Sequence, residues 1–160
     1  MILGLSTHNF TLLHVAISLI GIVAGLWFFF GLTRGTWGSN VNRVFFFFTL
    51  LTSVTGFLFP IKGTTPALIF GAISIVVLAI AAYALWGRKG AGPWRRVYCG
   101  TALFAQWLNM IVLVVQSFQK VPQLHALAPA GSGPAILAAQ GLMALIVLYF
   151  AWKTVVHRAV

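Results

Sequence analysis

Amide side chains recur along one apolar stretch in the second half of the sequence. Three amides and a lysine are spaced three, seven and four residues apart: Gln106, Asn109, Gln116 and Lys120. This spacing places all four on one face of an α-helix. An amide in hydrocarbon needs a hydrogen-bond partner, because an unsatisfied polar group there costs several kcal/mol. The stripe is therefore expected to face the interior of a helical bundle.

Polar side chains interrupt three other apolar stretches as well. A histidine lies in the first stretch, three hydroxyl groups lie in the second, and an amide lies in the last. We expect these groups to converge on the two outer amides of the stripe, near one end of the bundle. The candidate residues for such a polar site are His14, Thr52, Ser53, Thr55, Asn109, Gln116 and Gln140.

Two interpretations of this polar group remain open. The first is an interhelical hydrogen-bond network that helps the helices associate, with each bond worth about 0.6 kcal/mol. The second is a pocket for a neutral amphipathic molecule such as a quinone. In that pocket His14, Gln116 or Gln140 would hydrogen-bond a carbonyl oxygen of the ligand.

The histidines are weak candidates for metal or haem binding. His8, His14 and His125 could hold copper or zinc, since imidazole suits both ions. However, His8 and His14 are six residues apart and do not share a helical face. A membrane b-type haem usually needs two facing axial histidines, and only His14 lies within an apolar stretch. We therefore expect no cofactor, and quinone or haem b are the alternatives.

Five long apolar runs are separated by short gaps, the gaps and the C-terminal tail hold all ten charges, and every charge is positive. A hydrophobic fraction of 61% and a mean hydropathy of +1.02 lie far outside soluble composition. A spanning helix needs about 20 apolar residues. The sequence predicts an all-α integral membrane protein, a five-helix transmembrane bundle that forms a single domain over residues 1–160. The expected spans are about 10–32, 44–59, 67–86, 97–118 and 135–152.

The positive charges predict the orientation of this bundle. Lysine and arginine concentrate on the cytoplasmic side of membrane proteins. One side of the predicted bundle holds eight cations: Arg34, Arg43, Arg88, Lys89, Arg95, Arg96, Lys153 and Arg158. The other side holds two, Lys62 and Lys120. We expect the N-terminus outside, the C-terminus in the cytoplasm, and the cations against lipid headgroups rather than nucleic acid.

Four segments resemble a family of small multi-pass bacterial inner-membrane proteins of unassigned function. They are residues 10–15 (FTLLHV), 50–60 (LLTSVTGFLFP), 71–74 (GAIS) and 118–129 (FQKVPQLHALAP). The resemblance covers most of the chain and implies a location in the bacterial inner membrane, but it supplies no activity. Members of that family carry a few acidic residues in loops, whereas this chain carries none.

The residues also limit the function. The sequence contains no Ser/His/Asp, P-loop or HExxH pattern. The lack of Asp and Glu argues against a proton pump or a cation-coupled carrier, which place acids within the membrane. We expect a non-enzymatic accessory or structural subunit of a larger membrane assembly, with lipids and other membrane subunits as partners. The alternative is a small quinone- or haem-binding redox module.

Overall fold

Six α-helices, two of them extended by π-helical turns, account for most of residues 1–60, 63 and 66–157, which the computed structural model describes. The all-helical prediction is confirmed. The helices are α1 (Thr7–Thr33), α2 (Ser39–Gly56), α3 (Pro66–Ala82), α4 (Pro93–Lys120), α5 (Pro122–His125) and α6 (Pro134–Ala151). A π-helical turn over Tyr83–Gly87 continues α3, and another over Trp152–His157 continues α6. Lys62 and Arg158 lie outside the described residues.

Four of the described helical segments are long and apolar enough to cross a membrane. They are Thr7–Thr33, Pro66–Gly87, Pro93–Lys120 and Pro134–His157. The chain is therefore a multi-pass membrane protein, with four such segments rather than the five predicted. The α2 helix has 18 residues, but four of its first five are polar: Ser39, Asn40, Asn42 and Arg43.

The helix boundaries follow from local sequence. Ser6 caps α1, because its hydroxyl oxygen accepts a hydrogen bond of 3.2 Å from the Asn9 N–H. Proline occupies the first turn of α4 and α6, where its missing N–H costs no hydrogen bond. The second helix, expected over 44–59, begins earlier and ends at Gly56. The expected long loop from Gln119 to Pro134 contains the single-turn helix α5.

The α4 helix lies at the centre of the bundle. It contacts α1, α2, α3 and α6. Half of the residues in its apolar stretch are buried, compared with 44% for Thr7–Thr33, 22% for Pro66–Gly87 and 17% for Pro134–His157. The polar face of α4 is therefore enclosed by other helices, while α3 and α6 present wide apolar surfaces outward.

Two glycines of α1 allow its neighbours to approach closely. A Cβ atom at Gly21 would lie 3.3 Å from backbone atoms of Phe48 and Thr49 in α2. A Cβ atom at Gly25 would overlap the amide of Gln106 and lie 2.7 Å from the Phe45 ring. Small residues at helix contacts are the usual means of close packing in membranes.

An aromatic cluster fills one half of the bundle, opposite to the half in which α1 begins. Phe28 packs edge-on against Phe29 and Trp37, with ring centroids 5.3 and 5.4 Å apart. Tyr98 lies beside Trp37, and its hydroxyl donates a hydrogen bond to Asn42 Oδ1. This bond links α2 to α4 near the end of the bundle that carries most of the cations.

Candidate functional site

A cavity of about 480 Å³ opens at the end of the bundle where α1 begins and α2 and α4 end. Side chains from α1, α2, α3 and α4 line it, together with the residues that follow α2. Ligand pockets typically measure about 300–1,000 Å³ and combine an apolar lining with a few polar groups. The volume and the mixed lining of this cavity both fall within that description.

The structure places five of the seven candidate residues around this cavity, and these five are His14, Thr52, Ser53, Asn109 and Gln116. The other two lie outside the lining. Thr55 lies behind the His14 ring, with which it shares a hydrogen bond. Gln140 lies between α6 and α4, where its Nε2 donates to the Ile111 carbonyl oxygen at 3.2 Å.

Several lining residues were not among the candidates. Lys120 lines the cavity and belongs to the same helical face as Gln116, so the stripe already indicated its position. Phe57 and Phe59, which follow α2, and Phe70 of α3 supply apolar lining. Sequence periodicity could not have indicated Phe57 or Phe59, because both follow the last residue of α2.

His14 is held in one orientation by its neighbours. Its Nδ1 lies 2.8 Å from Thr55 Oγ1 across the α1–α2 contact. The Phe59 ring meets the imidazole edge-on, with centroids 5.3 Å apart, and Phe59 in turn contacts Phe10. With Nδ1 turned towards Thr55, the other ring nitrogen is left for contacts within the cavity.

The hydroxyl groups around the cavity bond to the backbone of their own helices. Thr52 donates to the Phe48 carbonyl oxygen at 2.8 Å, and Ser53 donates to the Thr49 carbonyl oxygen at 3.1 Å. Ser18 donates to the His14 carbonyl oxygen at 2.7 Å. Such bonds to the residue four positions earlier satisfy the hydroxyl proton within the helix.

The amides of the α4 stripe differ in their surroundings. Gln106 is 1% exposed and lies outside the cavity lining, and its Nε2 donates to the Ile22 carbonyl oxygen at 3.0 Å. Among the described residues, Gln106 Oε1, Asn109 Nδ2 and Gln116 Oε1 are each buried without a hydrogen-bond partner, and of these three residues Asn109 and Gln116 line the cavity. A buried polar atom without a partner costs about 1–3 kcal/mol, and a ligand could remove that cost.

Charge and metal-binding groups at the cavity are few. Lys120 is the one charged residue among the described lining residues, and His14 is the one histidine. His8 and His125 are exposed and do not line the cavity. Within the described part of the chain, no three histidine, cysteine or acidic side chains come together. His14 is therefore placed for a hydrogen bond, without a second histidine to complete a haem site there.

No protein family, curated protein or solved structure matches this chain.

Proposed function

We propose that this protein binds an amphipathic aromatic molecule of the quinone class in the cavity between α1, α2, α3 and α4. The main support for this proposal comes from two buried atoms, Asn109 Nδ2 and Gln116 Oε1, which have no hydrogen-bond partner among the described residues. Both residues line a cavity of about 480 Å³ that His14 also lines. These polar groups can hydrogen-bond the oxygen atoms on the ring of such a ligand. The aromatic lining at Phe57 and Phe70 suits the ring faces and an apolar tail.

The proposed role is binding, not catalysis. No side-chain carboxylate exists to take up a proton, and the hydroxyls of Thr52 and Ser53 bond to the backbone. Both hydroxyl protons are held by backbone carbonyl oxygens, which do not activate an oxygen as a nucleophile. A subunit that holds or presents a lipid-soluble ligand to a larger membrane assembly accords with these features.

Solvent extraction of the purified protein tests the proposal. We expect about one small aromatic molecule per chain, identified by mass spectrometry and ultraviolet absorption. Gln116→Leu should abolish its retention, because the substitution removes a polar atom that faces the ligand. The matched control is Gln140→Leu, which changes an amide that lies outside the cavity. Extracts of folded protein that contain only phospholipid, even after incubation with added quinone, would contradict the proposal.

We also propose that α2 is a fifth span and that the bundle lies in a bacterial inner membrane with its N-terminus outside. At about 1.5 Å per residue, the 18 residues of α2 reach about 27 Å, close to the hydrocarbon thickness. Its polar residues Asn42, Thr49 and Ser53 are buried against other helices rather than lipid. Eight cations against two favour the orientation.

Reporter fusions test this topology. Alkaline phosphatase fused after residue 157 should be inactive, and the same enzyme inserted between residues 128 and 131 should be active. A C-terminal fusion with full phosphatase activity would contradict the proposed orientation. Equal activity at both sites would contradict the crossing of α6, the one proposed span between them. Phosphatase inserted between residues 34 and 38 should also be inactive, and full activity there would contradict the crossing of α2.

A second proposal, that the chain is a structural subunit beside other membrane proteins, draws on the outer face of α6. Only 17% of the apolar stretch in Pro134–His157 is buried, and Leu142, Leu145 and Leu148 are each more than half exposed. This surface can pack against a helix of another subunit. A photo-crosslinking amino acid at Leu145, used in native membranes, should yield one discrete protein adduct. Adducts with lipid alone would contradict the proposal.

A further inference from the structure

We infer that the cavity selects the reduced, hydroxyl-bearing form of its ligand, a quinol, over the oxidised quinone. The inference rests on the function proposed above and concerns the hydrogen-bonding character of the same site. It depends on which groups around the cavity still have a proton to donate and which have only lone pairs to offer.

The single hydroxyl proton of Thr55 is committed to the backbone. Thr55 Oγ1 lies 2.7 Å from the Leu51 carbonyl oxygen. Two oxygens this close require a proton between them, so the hydroxyl donates to the backbone. Since its proton is committed, Thr55 Oγ1 can only accept a hydrogen bond from His14 Nδ1, which lies 2.8 Å away.

The contact with Thr55 fixes the tautomer of His14. Nδ1 carries the proton that is donated to Thr55. The chain contains no aspartate or glutamate, so no side-chain carboxylate can serve as counter-ion to an imidazolium, and Lys120 already brings a positive charge to the same cavity. The imidazole is therefore neutral, and its Nε2 holds a lone pair. His14 accepts a hydrogen bond from the ligand and does not donate one.

Four other hydroxyl groups in the lining have their protons committed in the same way. The hydroxyl protons of Ser18, Thr52 and Ser53 are donated to backbone carbonyl oxygens of their own helices. Thr11, near the mouth of the cavity, donates to the Thr7 carbonyl oxygen at 2.8 Å. These four oxygens can accept hydrogen bonds from a ligand but cannot donate to it.

A quinol and a quinone differ in which of the lining hydrogen-bond donors and acceptors they can pair. The buried Gln116 Oε1 is a further acceptor without a partner among the described residues, while the donors are Asn109 Nδ2, Gln116 Nε2, the Ser117 hydroxyl and the Lys120 ammonium group. A quinol has two O–H groups that can satisfy two of the acceptors, and its oxygens can also accept from Asn109. A quinone offers no proton, so His14 Nε2 and Gln116 Oε1 would stay unpaired. The expectation that His14 bonds a carbonyl oxygen is therefore replaced by a bond to a hydroxyl.

Anaerobic binding measurements on wild-type protein in phosphatidylcholine nanodiscs test this inference. The probes are decylubiquinol and decylubiquinone. We expect the quinol to bind at least about tenfold more tightly, since each unpaired buried acceptor costs about that factor. In a redox titration, a tenfold preference raises the midpoint potential of the bound two-electron couple by about 30 mV.

A variant of Thr55 identifies the source of the preference. Thr55→Val removes the acceptor that fixes the His14 tautomer, so the imidazole can then donate through Nε2. We expect the quinol preference to fall severalfold. The matched control is Thr101→Val, which removes an equivalent hydroxyl bonded to its own helix at Val97, away from the cavity. The wild-type titration requires no variant, so it stands even if Thr55→Val folds poorly.

The outcomes separate the two proposals. Equal affinity for both forms, or tighter binding of the quinone, would overturn this inference and leave the proposed function in place. Binding of neither form would overturn both. A preference that is unchanged in well-folded Thr55→Val protein would overturn the role given to the His14 tautomer.

Discussion

Gln106 and Asn109 lie one helical turn apart on the same face of α4, yet their side chains serve different purposes. Gln106 is fully enclosed and bonds the Ile22 carbonyl oxygen of α1. Asn109 borders the cavity, and its Nδ2 has no hydrogen-bond partner in the described part of the chain. The deeper amide is part of the packing between helices, whereas the outer one is available to a ligand.

This difference predicts unequal losses of stability when each of the two amides is replaced by alanine. Gln106→Ala should lower the free energy of unfolding by about 2 kcal/mol or more, because it leaves a void and removes an interhelical hydrogen bond. Asn109→Ala should change it by less than about 1 kcal/mol, since the side chain already borders open space. Denaturation in mild detergent measures both, and equal losses would contradict the assignment.

The hydrogen bond between Tyr98 and Asn42 leads to a second prediction. Tyr98→Phe leaves the Asn42 carbonyl oxygen buried without its donor, which costs about 1–3 kcal/mol. The control is Tyr83→Phe, because Tyr83 is 53% exposed and should tolerate the change. Thermal unfolding of the two variants should differ clearly. An unchanged midpoint for Tyr98→Phe would show that the bond contributes nothing.

The sequence could predict which polar residues turn inward, but not how each one is paired. Helical periodicity alone places Gln106, Asn109 and Gln116 on one face. The partner of His14 is a residue 41 positions away, so the tautomer depends on the contact between α1 and α2. Gln140 has the same residue type as Gln116 and lies in a similar apolar stretch, and only the packing of α6 against α4 separates it from the cavity.

At the scale of the elements, the packing of α1 depends on the absence of side chains at two positions. Gly25→Ala should destabilise the bundle by about 1–3 kcal/mol, because the new methyl group would overlap Gln106 and Phe45. Gly141→Ala in α6 is the matched control, since a Cβ atom there would meet nothing within 4 Å. Parallel unfolding curves test the pair, and similar midpoints would contradict the close contact.

The helices could be predicted from the sequence more reliably than their ends. Apolar runs and prolines indicate α1, α3, α4 and α6. The π-helical turn at Tyr83–Gly87 has no comparable pattern, because it depends on the Arg88 N–H bonding the Tyr83 carbonyl oxygen. The α2 helix combines an apolar run with buried polar residues, so its mean hydropathy understates how deeply it is enclosed.

For the molecule as a whole, a net charge of +10 without any acidic side chain leaves the cations to be neutralised from outside. At the end opposite the cavity, arginines lie over aromatic rings: Arg34 over Phe30 at 4.2 Å and Arg95 over Trp37 at 5.4 Å. Aromatic rings favour the interface of a membrane, so we expect these guanidinium groups to lie near the depth of lipid headgroups. Anionic phospholipid is the partner that matches them in charge.

We therefore expect phosphatidylglycerol to raise the unfolding temperature relative to phosphatidylcholine, with the gain reduced by added salt. Replacing Arg34, Arg88 and Arg95 together by glutamine should remove much of the gain. Lys120→Gln, at the cavity end, should leave most of it intact. A gain that persists in the triple variant would place the lipid contacts elsewhere.

The polar inner face of α2 bears on how the chain enters the bilayer during synthesis. Asn42, Thr49 and Ser53 would meet lipid if α2 left the translocon alone, and each would oppose partitioning. In the folded bundle α1 covers the middle of this face, where a Cβ atom at Gly21 would lie 3.3 Å from the Thr49 backbone nitrogen, and Tyr98 of α4 bonds Asn42. For the five-span arrangement proposed above, we therefore expect α1 and α2 to insert as one helical hairpin. Co-translational insertion of α2 then depends on the small side chains of the helix made before it.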